Sequence, residues 1–255
     1  MAVRGWMVAG LGLALATGLV TPASALLVQP INILMTSTGA QSNAALTVVN
    51  DRDRPNTFEV TVNKLTLPEN GAPVVTPIKG DEFLIFPPTA TVQPGKTQVV
   101  RIRWVGDPVL KESQAYMFNT AELPVNQLQG SGVQVVYTIQ SLVTVTSPAL
   151  KPEIAVQTAT VETETQVANS EHPARTVPGV GVTVSNSGNG LDFLTNYKFT
   201  LKSGAWSMTI DPHDVAQYVG LGLVMPNSKR HFFLVLPKLP PAGPVQVSLE
   251  REPGK

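Results

Sequence analysis

The 255-residue chain contains no cysteine. Disulfide staples and thiolate metal sites are excluded, so each folded unit must hold itself together by burying apolar side chains. Charge is also scarce. Asp, Glu, Lys and Arg make up 14 % of the residues, against about 25 % in ordinary soluble domains. The two signs cancel, with 18 basic and 18 acidic residues. Such a balance offers little to nucleic-acid phosphates or to a charged membrane surface. There are three histidines, His172, His213 and His231, and none stands at metal-ligand spacing from another. Asp51-x-Asp53 lacks the remaining oxygens and the glycine of a calcium loop. No G-x-S-x-G elbow occurs. The glycines of Gly220–Leu223 do not follow the strand-to-helix context of a phosphate loop. Asp211-Pro-His213-Asp214 reads as a turn between strands. Nothing here argues for an enzyme, a metal or a cofactor.

Long apolar runs are missing too, with one exception. Residues 1–25 carry an early Arg4, an apolar stretch from Trp6 to Val20, and a closing Ala23-Ser24-Ala25. This is the pattern of a secretory signal peptide cleaved after Ala25. No later stretch approaches the 18 or so uninterrupted apolar residues of a membrane span. The exported chain is then long enough for two domains of common size.

What is present is strand pattern. From Leu26 onward, short apolar segments alternate with turn residues, at the spacing of a β-sandwich or barrel. The 22 prolines and 20 glycines suit an all-β chain with many turns. "LLVQPINILM" is the first strand, with Pro30 marking an edge or a kink. Pro94-Gly95 is a turn signal. The charged hexapeptide Asp51–Asn56 reads as a solvated hairpin loop. "SPALKPEI", Ser147–Ile154, carries two prolines and marks the domain boundary. Domains are expected at 26–148 and 149–255. Long helical periodicity is absent, although "DPHDVAQYV" has room for a helical turn.

One segment stands out. "GVQVVYTIQSLVTVTS", Gly132–Ser147, alternates apolar residues at Val133, Val135, Tyr137 and Ile139, then at Val143 and Val145. At about 3.3 Å per residue it would span roughly 50 Å if extended throughout, far beyond an ordinary strand. Half of it suffices for the core of one sandwich. From Val133 to Val145 it has no charge and no proline, the usual guards of a strand edge. An edge left open in this way suits a partner.

"FPPTATVQPGKTQVVRI" resembles the P-P-x-x-x-x-x-P-G-x-x-Q-x-V-R stretch of periplasmic pilus (fimbrial) assembly chaperones, and "ESQAYMFNTAELP" is similar to the strand that follows it there. The tail of the sequence looks closer to the archaic or alternative branch. The resemblance implies two immunoglobulin-like β-sandwich domains joined by a short linker, no catalysis and no cofactor. It implies pilus subunits and an outer-membrane usher as partners. In that family the long strand fills a gap in an incomplete subunit, which makes Val133, Val135, Tyr137, Ile139 and Val143 the expected subunit-binding strand. Arg101 and Glu112 match an interdomain ion pair. Relatives anchor the subunit's terminal carboxylate with two basic residues. Here those places fall on Asn32 and on Val143 or Thr144, while the arginine of the archaic branch becomes Met117. Asn32 and Arg103 are the candidate replacements. The open strand would also allow a homodimer. The rivals are a structural component of a surface filament and, with only 6 % aromatics, a carbohydrate-binding sandwich.

Overall fold

A computed structural model describes residues 26–78, 81–124, 136–166 and 173–253. The expected signal peptide, and with it Val133 and Val135, lies outside the described residues. Ten strands build the first unit: β1 (Leu26–Gln29), β2 (Asn32–Thr36), β3 (Asn43–Asn50), β4 (Asn56–Thr66), β5 (Val74–Pro77), β6 (Phe83–Phe86), β7 (Thr89–Val92), β8 (Thr97–Trp104), β9 (Gln114–Leu123) and β10 (Thr138–Thr146). One sheet has the order β1-β3-β8-β6, and the other β2-β10-β9-β4-β5, with β7 also on β4. The first apolar segment therefore splits between the sheets. Pro30, which has no amide for a ladder, sits where the chain leaves one sheet for the other.

The inward positions repeat every second residue. Leu46 and Val48 of β3, Val100, Ile102 and Trp104 of β8, and Tyr116 and Phe118 of β9 are all buried. Phe83 meets Trp104, Tyr116 and Phe118 edge-on, at ring-centroid distances of 5.1, 4.8 and 5.0 Å. Each such large side chain contributes roughly 1.5–3 kcal/mol of burial. Burial and the neighbouring Glu82 push the Tyr116 phenol far above the usual tyrosine range, so it serves as a neutral donor, to Gln114. At the predicted Pro94-Gly95 turn, Gly95 takes a φ of 65° and its amide donates to Asn50 O at 2.8 Å.

The second unit contains β11 (Ile154–Gln166), β12 (Arg175–Asn186), β13 (Asp192–Phe193), β14 (Tyr197–Ser203), β15 (Trp206–Ile210), a helix α1 (Pro212–Val219), β16 (Leu223–Val224), β17 (Ser228–Leu234) and β18 (Gln246–Arg251). Sheet β11-β12-β17 packs on β15-β14-β18 through Val180, Val182, Val184, Phe199, Leu201 and Leu234. The helical turn read from the sequence is a helix of eight residues, opened by Pro212 and followed by Gly220 at φ 61°. Leu150 packs with the first core and Ile154 with the second, which places the linker between them.

The two sandwiches meet through apolar side chains. Leu65 and Ala115 of the first domain bury with Leu223 of the second, flanked by Leu67, Met117, Leu142, Leu191, Phe193 and Met225. Backbone bonds complete the contact: Ser113 N donates to Asn189 O at 2.9 Å, and His231 N to Glu69 O at 2.8 Å. Arg230 Nη1 donates to Leu223 O at 2.8 Å beside this cluster, and burial lowers its pKa.

The expected Arg101–Glu112 ion pair is not formed. Both side chains are exposed, Arg101 on the outer face of β8 and Glu112 in the bend before β9, and no ion pair among the described residues includes either. The period of β8 is the reason. Val100, Ile102 and Trp104 take the inward places and leave Arg101 and Arg103 facing out. The buried acid of the second domain, Asp192, is committed within its own domain. It accepts from Tyr197 Oη at 2.9 Å, Asn196 Nδ2 at 2.7 Å and Arg251 Nε at 3.1 Å.

Candidate partner-binding strand and interdomain cleft

Strand β10 has two different halves. On one side it runs antiparallel to β9 along its length, from Thr138 opposite Ala121 to Val145 opposite Gln114. On the other side it pairs in parallel with β2, but only from Leu142 (opposite Asn32) to Thr146 (opposite Thr36). From Thr138 to Ser141 that second side has no ladder partner among the described residues.

The ladder also says which groups face the opening. Glu122 N donates to Tyr137 O at 3.0 Å. In an antiparallel pair, bonded residues alternate, so the odd-numbered residues of β10 direct their N–H and C=O towards β9. The even-numbered ones direct theirs away, as Leu142 N does in donating to Ile31 O at 2.8 Å. The amides and carbonyls of Thr138 and Gln140 therefore face the open edge.

Side chains divide along the same line. Tyr137 is 52 % exposed, at the rim. Ile139 is partly buried against the first core. Val143 is fully buried, 0 % exposed, between the two sheets. Its assignment to the subunit-binding strand is thus corrected: its side chain is already spent in its own domain. The reason is topological, since β2 seals that half of β10 and the core closes over it. Beneath the open half, the hydroxyls of Ser141 and Thr120 are buried without hydrogen-bond partners.

The charged hexapeptide departs from the solvated loop expected of it. Asn50 is buried and ties the loop down, donating from Nδ2 to Arg54 O and to Val92 O, both at 2.8 Å. Its Oδ1 accepts from Arg52 N at 3.1 Å. The Arg52 side chain then turns inward. Its Nη2 lies 2.8 Å from Glu122 Oε1, with side-chain exposures of 10 % and 8 %. Its Cζ lies 5.5 Å from the centre of the Tyr137 ring. The signal that could have found this pair is Glu122, an acidic residue at an inward position of β9.

The candidate carboxylate anchors do not converge. Asn32 is exposed on β2 of one sheet, and Arg103 is exposed on β8 of the other. Both registers considered for the long strand are occupied: Val143 is in the core, and Thr144 is buried with its Oγ1 3.4 Å from Ile33 O. Met117 and Leu142, directly opposite each other, help floor the cleft. At the anchor positions Met117 and Val143 the side chains are apolar, and the nearby Arg230 is committed to Leu223 O. Arg101 and Arg103 instead flank Leu84, Phe86 and Val99 on the outer face of the four-stranded sheet, around a shallow cavity of about 560 Å³.

Residues 27–147 match the family described as "Pili and flagellar-assembly chaperone, PapD N-terminal domain". The match covers the first sandwich, and it likens that domain to the N-terminal domain of the pilus-assembly chaperones. Solved structures of the same two-sandwich fold include the class 5 fimbriae chaperone CfaA, at 11 % identity and a TM-score of 0.56, with 91 % of this chain and 94 % of that chain covered. A chaperone–tip adhesin complex of CFA/I fimbriae biogenesis gives the same values. The YadV chaperone matches at 13 % identity and a TM-score of 0.50, over 88 % of this chain and 91 % of that chain. At these identities the likeness is one of fold. No curated protein matches the sequence. Among the described residues no helix is long and apolar enough to cross a membrane.

Proposed function

We propose that this chain is a periplasmic chaperone that binds pilus or fimbrial subunits by lending them the open half of β10, and then hands them to an outer-membrane usher. The observation that carries the reading is the bare, uncharged edge from Thr138 to Ser141, beside a half of the same strand that is fully paired. A subunit strand laid there receives backbone hydrogen bonds from Thr138 and Gln140, and Tyr137 and Ile139 add apolar contact. Strand addition between chaperones and pilins is an established use of such an edge. Alternation of the side chains sets the register, because a slip of one residue reverses the faces. Val133 and Val135 extend the same series upstream. The leader-like residues 1–25 support export, and the absence of cysteine is compatible with an oxidising compartment.

The apolar cleft alters the second contact that the family resemblance implies. With Met117 and Leu142 in the floor, the end of a bound subunit meets apolar side chains at this place.

Gln140→Pro tests the reading. Proline removes the one amide that faces the open edge at this position and leaves the backbone bonds to β9 in place, while the side-chain bond from Gln140 Nε2 to Asn119 Oδ1 is lost. The variant should stay folded and lose at least about tenfold in co-purification with a co-expressed pilus subunit, the order expected for a lost hydrogen bond and a blocked edge. Undiminished capture by a folded Gln140→Pro protein would overturn strand lending at this edge.

A further inference from the structure

We infer that Arg52 is a positioning residue for the partner-binding strand: its guanidinium, held by Glu122, supports the Tyr137 ring and fixes the entry to β10 before any partner arrives. The inference rests on the strand-lending reading for its purpose, but on its own geometry for its existence.

Three segments distant in sequence meet at this point. The β3–β4 loop brings Arg52, the end of β9 brings Glu122, and the residue before β10 brings Tyr137. Asn50 anchors the loop through its contacts with Arg54 O, Val92 O and Arg52 N. With the loop held, the Arg52 side chain turns into the rim of the sandwich. There Glu122 neutralises it at 2.8 Å, and the ring of Tyr137 lies over it at 5.5 Å. The backbone closes the arrangement, since the amide of Glu122 is the group that donates to Tyr137 O. One residue thus holds the carbonyl of Tyr137 through its backbone and the ring of Tyr137 through its ion-paired arginine.

This matters because, among the described residues, the open half of β10 lacks one of its two neighbours. A strand held on one side only frays from its free end. Each backbone residue fixed in advance removes an ordering cost from association. Tyr137 immediately precedes β10, so a support under its ring acts where the open half of the strand begins. A cationic plane against a half-exposed aromatic face suits that place, since it needs no buried partner for the phenol. Arg52 Nε and Glu122 Oε1 are both buried without a hydrogen-bond partner, so the pair is held by charge at 2.8 Å and not by an aligned hydrogen bond.

The test has two arms on the full mature protein. The first is amide hydrogen exchange in the free protein, read at Glu122 and Ile139, for wild type, Arg52→Ala, Arg52→Lys and Tyr137→Leu. Arg52→Ala should speed exchange at these two amides about tenfold more than at Val100 and Ile102 in the core, with Arg52→Lys falling between. Tyr137→Leu keeps the ion pair and should show the same local loosening with an unchanged melting temperature, so the test survives if Arg52→Ala folds poorly. Unchanged exchange, or a rise that is uniform across the domain, overturns the inference. The second arm is the rate at which a denatured pilus subunit, diluted from urea, is captured. Arg52→Ala should slow capture about tenfold and leave dissociation unaltered, as expected when pre-ordering is lost. Wild-type capture by Arg52→Ala while Gln140→Pro abolishes it overturns the positioning role. Local loosening with capture unaltered in both variants leaves Arg52 as the support of β10 and refutes the strand-lending reading instead.

Discussion

The two halves of β10 have the same kind of sequence and opposite fates. "TIQS" and "LVTVT" are both uncharged, both free of proline and both able to extend. Leu142–Thr146 lies between β9 and β2 and buries Val143 and Val145 completely. Among the described residues Thr138–Ser141 has β9 alone, and it follows directly on an exposed tyrosine. The difference teaches that an open edge is made by where a neighbouring strand stops. β2 begins at Asn32, and its first pairing partner is Leu142. Among the described residues, Thr138–Ser141, upstream of that register, has no strand on its second side.

The comparison can be broken most forcefully by a charge. Val143→Asp places a carboxylate between the sheets with no partner, and should cost more than about 4 kcal/mol and leave the first domain unfolded. The same change at Tyr137 should leave the thermal melt within a few degrees of wild type while abolishing subunit capture. If both variants unfold alike, the two halves are not distinct. The rim comes next. Glu122→Ala strips the neutralising partner from the nearly buried Arg52 and should cost about 3 kcal/mol in urea unfolding. At the junction, Leu223→Ala opens a gap against Leu65 and Ala115 and should cost about 2 kcal/mol, read as an earlier separation of the two domains in limited proteolysis. The smallest effect belongs to Arg101→Ala and Glu112→Ala. Both groups are exposed and unpaired with each other, so each change should stay within about 0.5 kcal/mol of wild type. A clear loss in either would restore an ion pair between the domains.

Much of the fold was legible in the residues. Alternation marked many of the strands, and the turn at Pro94-Gly95 stood where the sequence put it, whereas Asp211–Asp214, read as a turn between strands, opens a helix over Pro212–Val219. The site was less legible. Arg52 read as a loop charge because its loop is rich in Asp, Arg, Pro and Asn, and only the anchoring by Asn50 turns its side chain inward. Arg101 and Glu112 suggested a pair because they match family positions. The period of β8 sends Arg101 to the outer face. The anchor positions could be numbered but their surroundings could not, and Met117 and Leu142 gain meaning only when Leu223 arrives from the second domain.

By itself the sequence determined that this chain is built of strands, and which residues of the long strand share a face. These follow from local chemistry: a period of two residues, proline without an amide, glycine free to turn. The tertiary structure alone decided which edge stays open, which charge is buried and what lines the cleft. Those depend on pairings between segments far apart, such as Ile33 and Thr144, 111 residues distant along the chain. No local pattern records where one strand will stop beside another.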